Sequence, residues 1–180
     1  MPIRLLIVLA DETAQEEAGG PELSCLAPVY YLFRDAGAEV VLASPSGGHP
    51  ALRLRPAAEG AAAPAVARFL ADRAARDALA DTLSLSQIVP EDFDAAFCLG
   101  HHGTLQATGA GVGAQDAAAP GALLATLLAA GVPVGLLPGA GARPGPRGAG
   151  EGLLILGETP RAARQAGWLL LALARGDAGA

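Results

Sequence analysis

The sequence predicts an α/β fold, a flavodoxin-like three-layer sandwich with a five-stranded or slightly larger, mostly parallel sheet. Continuous apolar runs such as IRLLIVL at 3–9 and VPVGLL at 132–137 are typical of strands covered on both faces. Helical patterns separate these runs, and strands that alternate with helices pair in parallel through right-handed crossovers. The chain has 180 residues, 52% of them apolar, which predicts a single domain over 1–180.

The first helix is expected over about 22–36, after the strand at 3–9 and an acidic loop. Pro21 suits the first position of a helix, and Gly37 is a typical stop. Leucine and aromatic side chains recur at helical spacing in between. Pro28 interrupts the pattern, so we expect a kink or the start of a second helical segment there.

The remaining elements follow in order along the chain. A strand is predicted at 38–44, and 83–89 is a short connection or helical turn. Small-residue loops separate the later elements. The other predicted elements are a helix beginning at Pro64, a central strand over 95–99, a helix over about 120–130 ended by Gly131, strands at 132–137 and 153–157, and a last helix capped by Thr159, with Pro160 first and Trp168 on its buried side.

The simplest order for five such strands is 2-1-3-4-5. Ligands of open α/β sheets bind at the carboxyl ends of the strands, where the strand order reverses. In this order the reversal lies between the first and third strands. The loop after Leu9, which contains Asp11 and Glu12, is therefore expected beside residues 100–103.

The central strand ends in the chain's most informative stretch, DAAFCLGHHG at 94–103. Its apolar run stops at Gly100 and is followed by His101, His102 and Gly103, so two of the three histidines occupy one turn. Imidazole titrates near neutrality and is the commonest general acid–base. Asp11 is either part of a solvated loop or a carboxylate that orients a histidine or abstracts a proton.

Composition excludes several classes of function. The net charge is −6 without a basic cluster, so nucleic acid is not an expected partner, and the absence of lysine excludes a side-chain Schiff base. Cys25 and Cys98 have no metal-type spacing, adjacent histidines rarely converge on one ion, and GAGVG at 109–113 does not follow a strand. We therefore expect neither a metal nor a cofactor.

The expected location is the cytoplasm, since no disulfide framework is present. The N-terminal apolar run is short and precedes an acidic loop, which predicts a strand rather than a signal peptide. No run of about 20 apolar residues occurs, so no contact with a membrane is expected.

Four segments resemble the DJ-1/PfpI superfamily in that family's order, and most closely its Hsp31-like branch, which has the type 1 glutamine amidotransferase-like fold. They are YYLFRDAGAEVVLASPSGG at 30–48, RFLADRAARDALADTLSL at 68–85, FDAAFCLGHHG at 93–103 and LLILGETPRAARQAG at 153–167. The resemblance implies a flavodoxin-like sandwich, in agreement with the pattern of elements.

The chain departs from the family at its catalytic positions. Members with glyoxalase- or protease-like chemistry carry a nucleophilic cysteine followed by histidine after the fourth strand, where this chain has Pro138 and Gly139. Those members have a glutamate twelve residues before the glycine that matches Gly37, and Cys25 stands there. The family's GGHG turn reads GHHG, so His101 replaces a glycine whose backbone approaches the substrate.

These comparisons complete the predicted site. His101, Cys25 and Asp11 are the catalytic candidates, and the alternative interpretation of Cys25 is a small buried helix residue. A thiolate there would act as nucleophile or base if a histidine or the helix terminus lowers its pKa. The candidates for substrate binding share one expected crevice; they are His102, Glu12, Gly100, Gly103, Pro138 and Gly139.

Two functions remain open from the sequence. The first is a cofactor-independent enzyme that acts on a small organic molecule by acid–base chemistry, as a lyase, hydratase, isomerase or cyclase, in a setting such as bacterial secondary metabolism. The second is a non-catalytic pseudoenzyme that binds a small ligand or a partner protein. The connection between the fourth and fifth strands is shorter than in the family, which should leave apolar surface poorly covered. Since members of the family are commonly dimers, we expect a homodimer.

Overall fold

A computed structural model describes residues 2–9, 22–50, 62–100, 120–138, 154–156 and 160–176, and its centre is one six-stranded sheet. Every neighbouring pair of strands is parallel. The strands are β1 (Arg4–Leu9), β2 (Glu39–Ser44), β3 (Leu83–Ser84), β4 (Ala95–Gly100), β5 (Val134–Pro138) and β6 (Leu154–Leu156). Their order across the sheet is β3-β2-β1-β4-β5-β6.

The predicted α/β flavodoxin-like fold is confirmed. The five strands expected from the sequence take the expected order, with β1 and β4 adjacent at the point of reversal. The sequence did not predict β3, a two-residue edge strand that pairs with β2. Two residues carry no periodicity, so such a strand is defined by its neighbour in the sheet and not by its own pattern.

Five α-helices connect the strands in the described part of the chain. Short 3-10 turns at Leu85–Gln87 and Pro90–Asp92 lead from β3 to β4. The helices are α1 (Leu23–Asp35), α2 (Ala63–Ala71), α3 (Arg73–Ala80), α4 (Pro120–Ala129) and α5 (Pro160–Ala174). Searched over these described residues, no helix is both long and apolar enough to cross a bilayer.

The two faces of the sheet belong to two separate cores. Alternate residues of a strand point to opposite faces. Leu5, Ile7 and Leu9 pack with residues of α1, α2 and α5, whereas Leu6 and Val8 pack with residues of α4. The molecule is therefore layered helix–sheet–helix, and each strand of the centre is apolar on both sides.

Helix α1 passes through Pro28 without a break, so the alternative of a second helical segment starting there is wrong. Its first helical residue is Leu23, with Glu22 at the N-cap, and the predicted start at Pro21 lies outside the described residues. Proline removes the hydrogen bond that residue 28 would donate to the Ser24 carbonyl, and its ring crowds that carbonyl. That bond belongs to the first turns of the helix. Gly37 ends the helix as predicted, with a φ of 83°.

The single helix predicted from Pro64 is instead two helices. The chain breaks at Asp72, whose φ and ψ of −80° and 110° are extended. Its side chain accepts hydrogen bonds from the backbone N–H groups of Ala74 and Ala75, which caps α3. Aspartate is a strong N-cap residue. Here that local preference prevails over the continuous helical pattern.

The prediction that Trp168 lies on the buried side of the last helix is wrong. Its side chain is 54% exposed. Residues Ala166, Leu170 and Leu171 form the buried stripe of α5 instead. Trp168 lies two positions from Ala166 and Leu170, a rotation of about 200° at 3.6 residues per turn, so it points away from the core.

Candidate functional site

The carboxyl ends of β1, β4 and β5 lie side by side at one edge of the sheet. Leu9 is in register with Leu99, and Gly100 is in register with Pro138. Two of the residues predicted to line the site, Gly100 and Pro138, are therefore neighbours on adjacent strands. This is the edge at which open parallel sheets bind ligands.

Most of the predicted site lies outside the described residues. Asp11 and Glu12 follow β1 in the sequence, and His101 begins the segment that follows β4. The positions concerned are Asp11, Glu12, His101, His102, Gly103 and Gly139. Their roles stay predictions that rest on the sequence and on where β1, β4 and β5 end.

Cys25 belongs to the same end of the molecule. Helix α1 ends at the opposite edge, because Glu39 donates its N–H to the carbonyl of Ile3, just before β1, at 2.8 Å. The helix therefore begins near the carboxyl ends of the strands. Cys25 is the third residue of α1 and packs, half-buried, against the core that contains Leu9 and Leu99.

The surroundings of Cys25 favour the neutral thiol. Burial is the main cause that raises the pKa of the Cys25 thiol, and the nearby Glu22 carboxylate raises it further. A hydrogen bond with the Ser24 side chain acts in the opposite direction but is smaller. A reactive cysteine needs a lowered pKa. The described neighbours of Cys25 do not supply it.

Glu22 is a polar group at this site that the sequence analysis did not single out. Its carboxylate accepts a 2.8 Å hydrogen bond from the Ser24 hydroxyl, and its backbone carbonyl accepts the N–H of Cys25 at 2.9 Å. The only available signal was an acidic residue directly before a helix, where it also suits the positive end of the dipole. Glu22 thus brings an acid within one helical turn of Cys25.

Cys98 has no part in this edge. Its side chain is buried among the residues that face α4, on the opposite side of the sheet from Cys25. Burial raises the pKa of the Cys98 thiol to about 12. Its place inside a continuous apolar strand accounts for this burial. Within the described ranges, no three side chains of histidine, cysteine, aspartate or glutamate come together as metal ligands would.

The α/β fold of this chain is similar to those of several solved structures. Glyoxalase III from Candida albicans matches with a TM-score of 0.53 at 20% identity, over 75% of this chain and 56% of that one. The Rapid Encystment Protein of 24 kDa from Francisella tularensis matches with a TM-score of 0.53 at 21% identity, over 75% of this chain and 58% of that one. Both have DJ-1/PfpI-family folds.

A third crystal structure matches over the full length of both molecules. It has a TM-score of 0.62 at 19% identity and covers 98% of this chain and 100% of that one. The chain spans little more than half the length of the two DJ-1/PfpI-type structures above. No protein-family model and no curated protein sequence matches this chain. At these identities the likeness establishes the fold.

Proposed function

We propose that this protein is a divergent relative of the DJ-1/PfpI superfamily and a cofactor-independent enzyme that acts on a small organic molecule. The chemistry is acid–base, of the lyase, hydratase, isomerase or cyclase type. The observation that carries the proposal is the register of β1 and β4, in which Leu9, the last residue of β1, lies opposite Leu99, one residue before the end of β4. The segments that bear Asp11 and His101 leave the sheet from these neighbouring ends.

The proposed division of labour gives proton transfer to His101. An imidazole has a pKa near the working pH and serves as acid and base in turn. Asp11 is proposed to set the orientation and protonation of that imidazole. The raised pKa of Cys25 favours a role for the neutral thiol in substrate binding or proton donation over attack as a thiolate.

The substrate surface is proposed to be completed by backbone at the strand ends. Glycine lets a ligand approach the main chain closely. Gly100 and Pro138, paired across β4 and β5, would form its floor. The proposed remainder comes from Glu12, His102, Gly103 and Gly139. The partner is therefore a small molecule held by main-chain and imidazole groups, with neither nucleic acid nor a membrane involved.

The test uses exchange of a carbon-bound proton, a step that such reactions share. Hydroxyacetone, acetoacetate and pyruvate are incubated in D₂O with the protein, and deuterium incorporation next to the carbonyl is followed by NMR. We expect exchange above the buffer rate with at least one compound. In His101→Ala the rate should fall by about 10²- to 10⁴-fold, the usual contribution of a positioned acid–base.

The third histidine provides a matched control. His49 is exposed in the turn after β2, so His49→Ala should leave the exchange rate unchanged. Equal rates in the wild type and His101→Ala would contradict the proposed role of His101. A complete lack of exchange with all three compounds would contradict the enzyme proposal in this form.

The second candidate function is a non-catalytic protein that binds a small ligand or a partner protein. It is favoured by Pro138, which stands at the end of β5 where the related enzymes have their nucleophile, and by the raised pKa of Cys25. Under this proposal the crevice binds a ligand that the protein does not transform. Binding of a panel compound without exchange would favour it.

Assembly and location are also proposals. We propose a homodimer, which light scattering at micromolar concentration tests directly, because a dimer has twice the 17.9 kDa mass of the chain. A monomer mass throughout would contradict it. The cytoplasm is the proposed location, based on cysteine usage. Fractionation of cells that produce the protein is the corresponding measurement.

A further inference from the structure

A cavity of about 520 Å³ lies on the outer side of the helical layer formed by α1, α2 and α5. Helix α1 contributes its floor, with Tyr31 and Leu32. Pro64 and Ala65 of α2 line the cavity with small side chains, and Trp168 of α5 also lines it. None of the residues predicted for the crevice at the strand ends lines this groove. Its volume is that of a small-molecule site.

Trp168 gives the groove an exposed aromatic surface. The side chain is 54% exposed although it borders a concave surface, whereas Leu170 and Leu171 of the same helix are buried in the core. Pro28, Leu32 and Ala65 also line the groove and add apolar surface to it. Aromatic rings prefer flat apolar partners at offset-stacked or edge-to-face geometry. The groove is therefore suited to a planar, apolar group.

The groove is positively charged within an acidic protein. Arg68, Arg164 and Arg175 line it, against the single carboxylate of Asp35. Asp35 is engaged on both oxygens by Arg68, at 2.7 Å each. Arg175 donates to the carbonyl of Ala36 at 2.9 Å. Arg164 makes neither an ion pair nor a hydrogen bond with any residue that the structure describes.

We propose that this groove binds a small aromatic carboxylate, with its ring against Trp168 and its carboxylate on Arg164. Guanidinium groups recognise carboxylates through two parallel hydrogen bonds. A second copy of the chain fits the groove less well. A two-fold contact centred on this groove would bring two positively charged surfaces together. The inference is independent of the proposed function, because it uses no residue of the crevice.

Trp168 is the only tryptophan in the chain, so its fluorescence reports directly on the groove. The probe is para-butylbenzoate, excited at the red edge of tryptophan absorption, with para-butylbenzamide as its uncharged counterpart. We expect a saturable change in emission with the benzoate. The amide should bind at least about tenfold more weakly, because it loses the charge-assisted hydrogen bonds. Binding should also weaken as salt is added.

Two variants locate the carboxylate. Arg164→Gln should weaken benzoate binding by about tenfold or more and leave amide binding unchanged. Arg73→Gln is the matched control, because Arg73 lies on α3, its side chain is 86% exposed, and it is absent from the groove lining. It should bind the benzoate as the wild type does. Circular dichroism verifies that both variants are folded.

Three results would overturn the proposal. Equal affinity for the benzoate and the amide would show that no anion site exists. Unchanged benzoate affinity in Arg164→Gln, measured by calorimetry as well as fluorescence, would show that the carboxylate does not bind to Arg164. Conversion of a dimer into a monomer by Trp168→Ala, measured by light scattering, would show that a second copy covers the groove.

Discussion

The hydroxyl of Tyr31 donates a 3.0 Å hydrogen bond to the Oδ2 atom of Asp72. The same carboxylate accepts the N–H groups of Ala74 and Ala75 through Oδ1. One side chain thus ties α1 to the corner between α2 and α3 and caps α3 at the same time. The guanidinium of Arg68 lies 3.8 Å above the Tyr31 ring and completes the corner.

The first prediction concerns the cap. Asp72→Ala should lower the thermal midpoint of unfolding, since the N-cap and the contact with Tyr31 are both lost, while Asp72→Asn should retain much of it because asparagine caps helices comparably. Asp77→Ala is the control, since the one contact of the Asp77 side chain with the described part of the chain is an exposed ion pair with Arg73. An Asp72→Ala midpoint equal to that of the control would contradict this assignment.

The Asp72 effect should depend on pH. Hydrogen bonds from Tyr31 and from the backbone of Ala75 lower the pKa of Asp72 below its usual 3.8. The unfolded chain therefore takes up the proton first. The contribution of the carboxylate is present above pH 3.8 and is lost as the pH falls through the lower folded-state pKa. The difference between wild type and Asp72→Ala should shrink over this acidic range.

The second prediction concerns the titration of Tyr31. Burial and the hydrogen bond to Asp72 raise the pKa of Tyr31 from 10.0 to about 12. The chain has two tyrosines, so ultraviolet absorbance of tyrosinate resolves them. Wild type should show an ionisation near pH 12 that is missing in Tyr31→Phe, where only Tyr30 remains, and unfolding in urea should return both to near 10.

The sign of the linked stability follows from the same shift. Because the folded-state pKa is raised, the contribution of Tyr31 is fully present below pH 10 and is lost as the pH rises toward 12. Tyr31→Phe should accordingly show a smaller loss of stability over this alkaline range. Identical alkaline unfolding curves for wild type and variant would exclude a shifted Tyr31.

The third prediction concerns close packing at β5. A Cβ at Gly135 would lie 2.7 Å from both Leu170 and Phe97, which are fully buried. Gly135→Ala should therefore reduce the free energy of unfolding by about 1–3 kcal/mol, the usual effect of overpacking. The measurement is urea denaturation, and an unchanged or higher value would contradict the predicted clash.

Gly167→Ala is the matched control for that variant. Its added Cβ would lie 2.8 Å from Cδ2 of Leu32, the far end of a half-buried side chain. Leu32 has room to rotate toward the groove. Alanine also stabilises a helix by about 1 kcal/mol relative to glycine, which offsets the crowding. The loss of stability should be smaller than for Gly135→Ala.

The sequence predicted the sheet well because the strands of a buried parallel sheet have a strong local pattern. Continuous apolar strands and alternating helices determine a parallel sheet, and the order follows from simple crossovers. The errors arose where tertiary contacts determine the orientation of a helix face or the end of a helix. The orientation of Trp168 depends on which stripe of α5 faces β5, and the break at Asp72 depends on a cap that also binds Tyr31. Neither pairing is visible in the periodicity.

The sequence predicted the location of the candidate site but not the roles of its side chains. Glycine after an apolar strand identified the end of β4, and the register of Gly100 with Pro138 agrees with that location. The roles of His101 and Asp11 depend on side-chain positions that no spacing encodes. The electrostatic surroundings of Cys25 were equally hidden, because burial and the Glu22 carboxylate raise its pKa through neighbours in space.

The fourth prediction is the absence of the activity named for one structural neighbour. Under the proposed relationship to the DJ-1/PfpI superfamily, Pro138 and Gly139 stand where members with glyoxalase chemistry have cysteine and histidine, so this position has neither side chain. We expect no appreciable conversion of methylglyoxal, followed by consumption of the substrate, and no peptidase activity. Turnover that persists in Cys25→Ser would show that the nucleophile lies elsewhere in the chain.

The last prediction separates the two interpretations of Cys25. Iodoacetamide reacts with thiolates, so a thiol whose pKa is raised should be alkylated more slowly than cysteine in a short peptide at the same pH. Mass spectrometry distinguishes Cys25 from Cys98, which should remain unlabelled until the protein unfolds because it is buried in the core. Cys25→Ser should then show no labelling in the folded state. Because the Glu22 carboxylate raises the pKa, Glu22→Gln should accelerate labelling of Cys25. Labelling of wild-type Cys25 faster than the peptide would show a lowered pKa and restore the nucleophile interpretation.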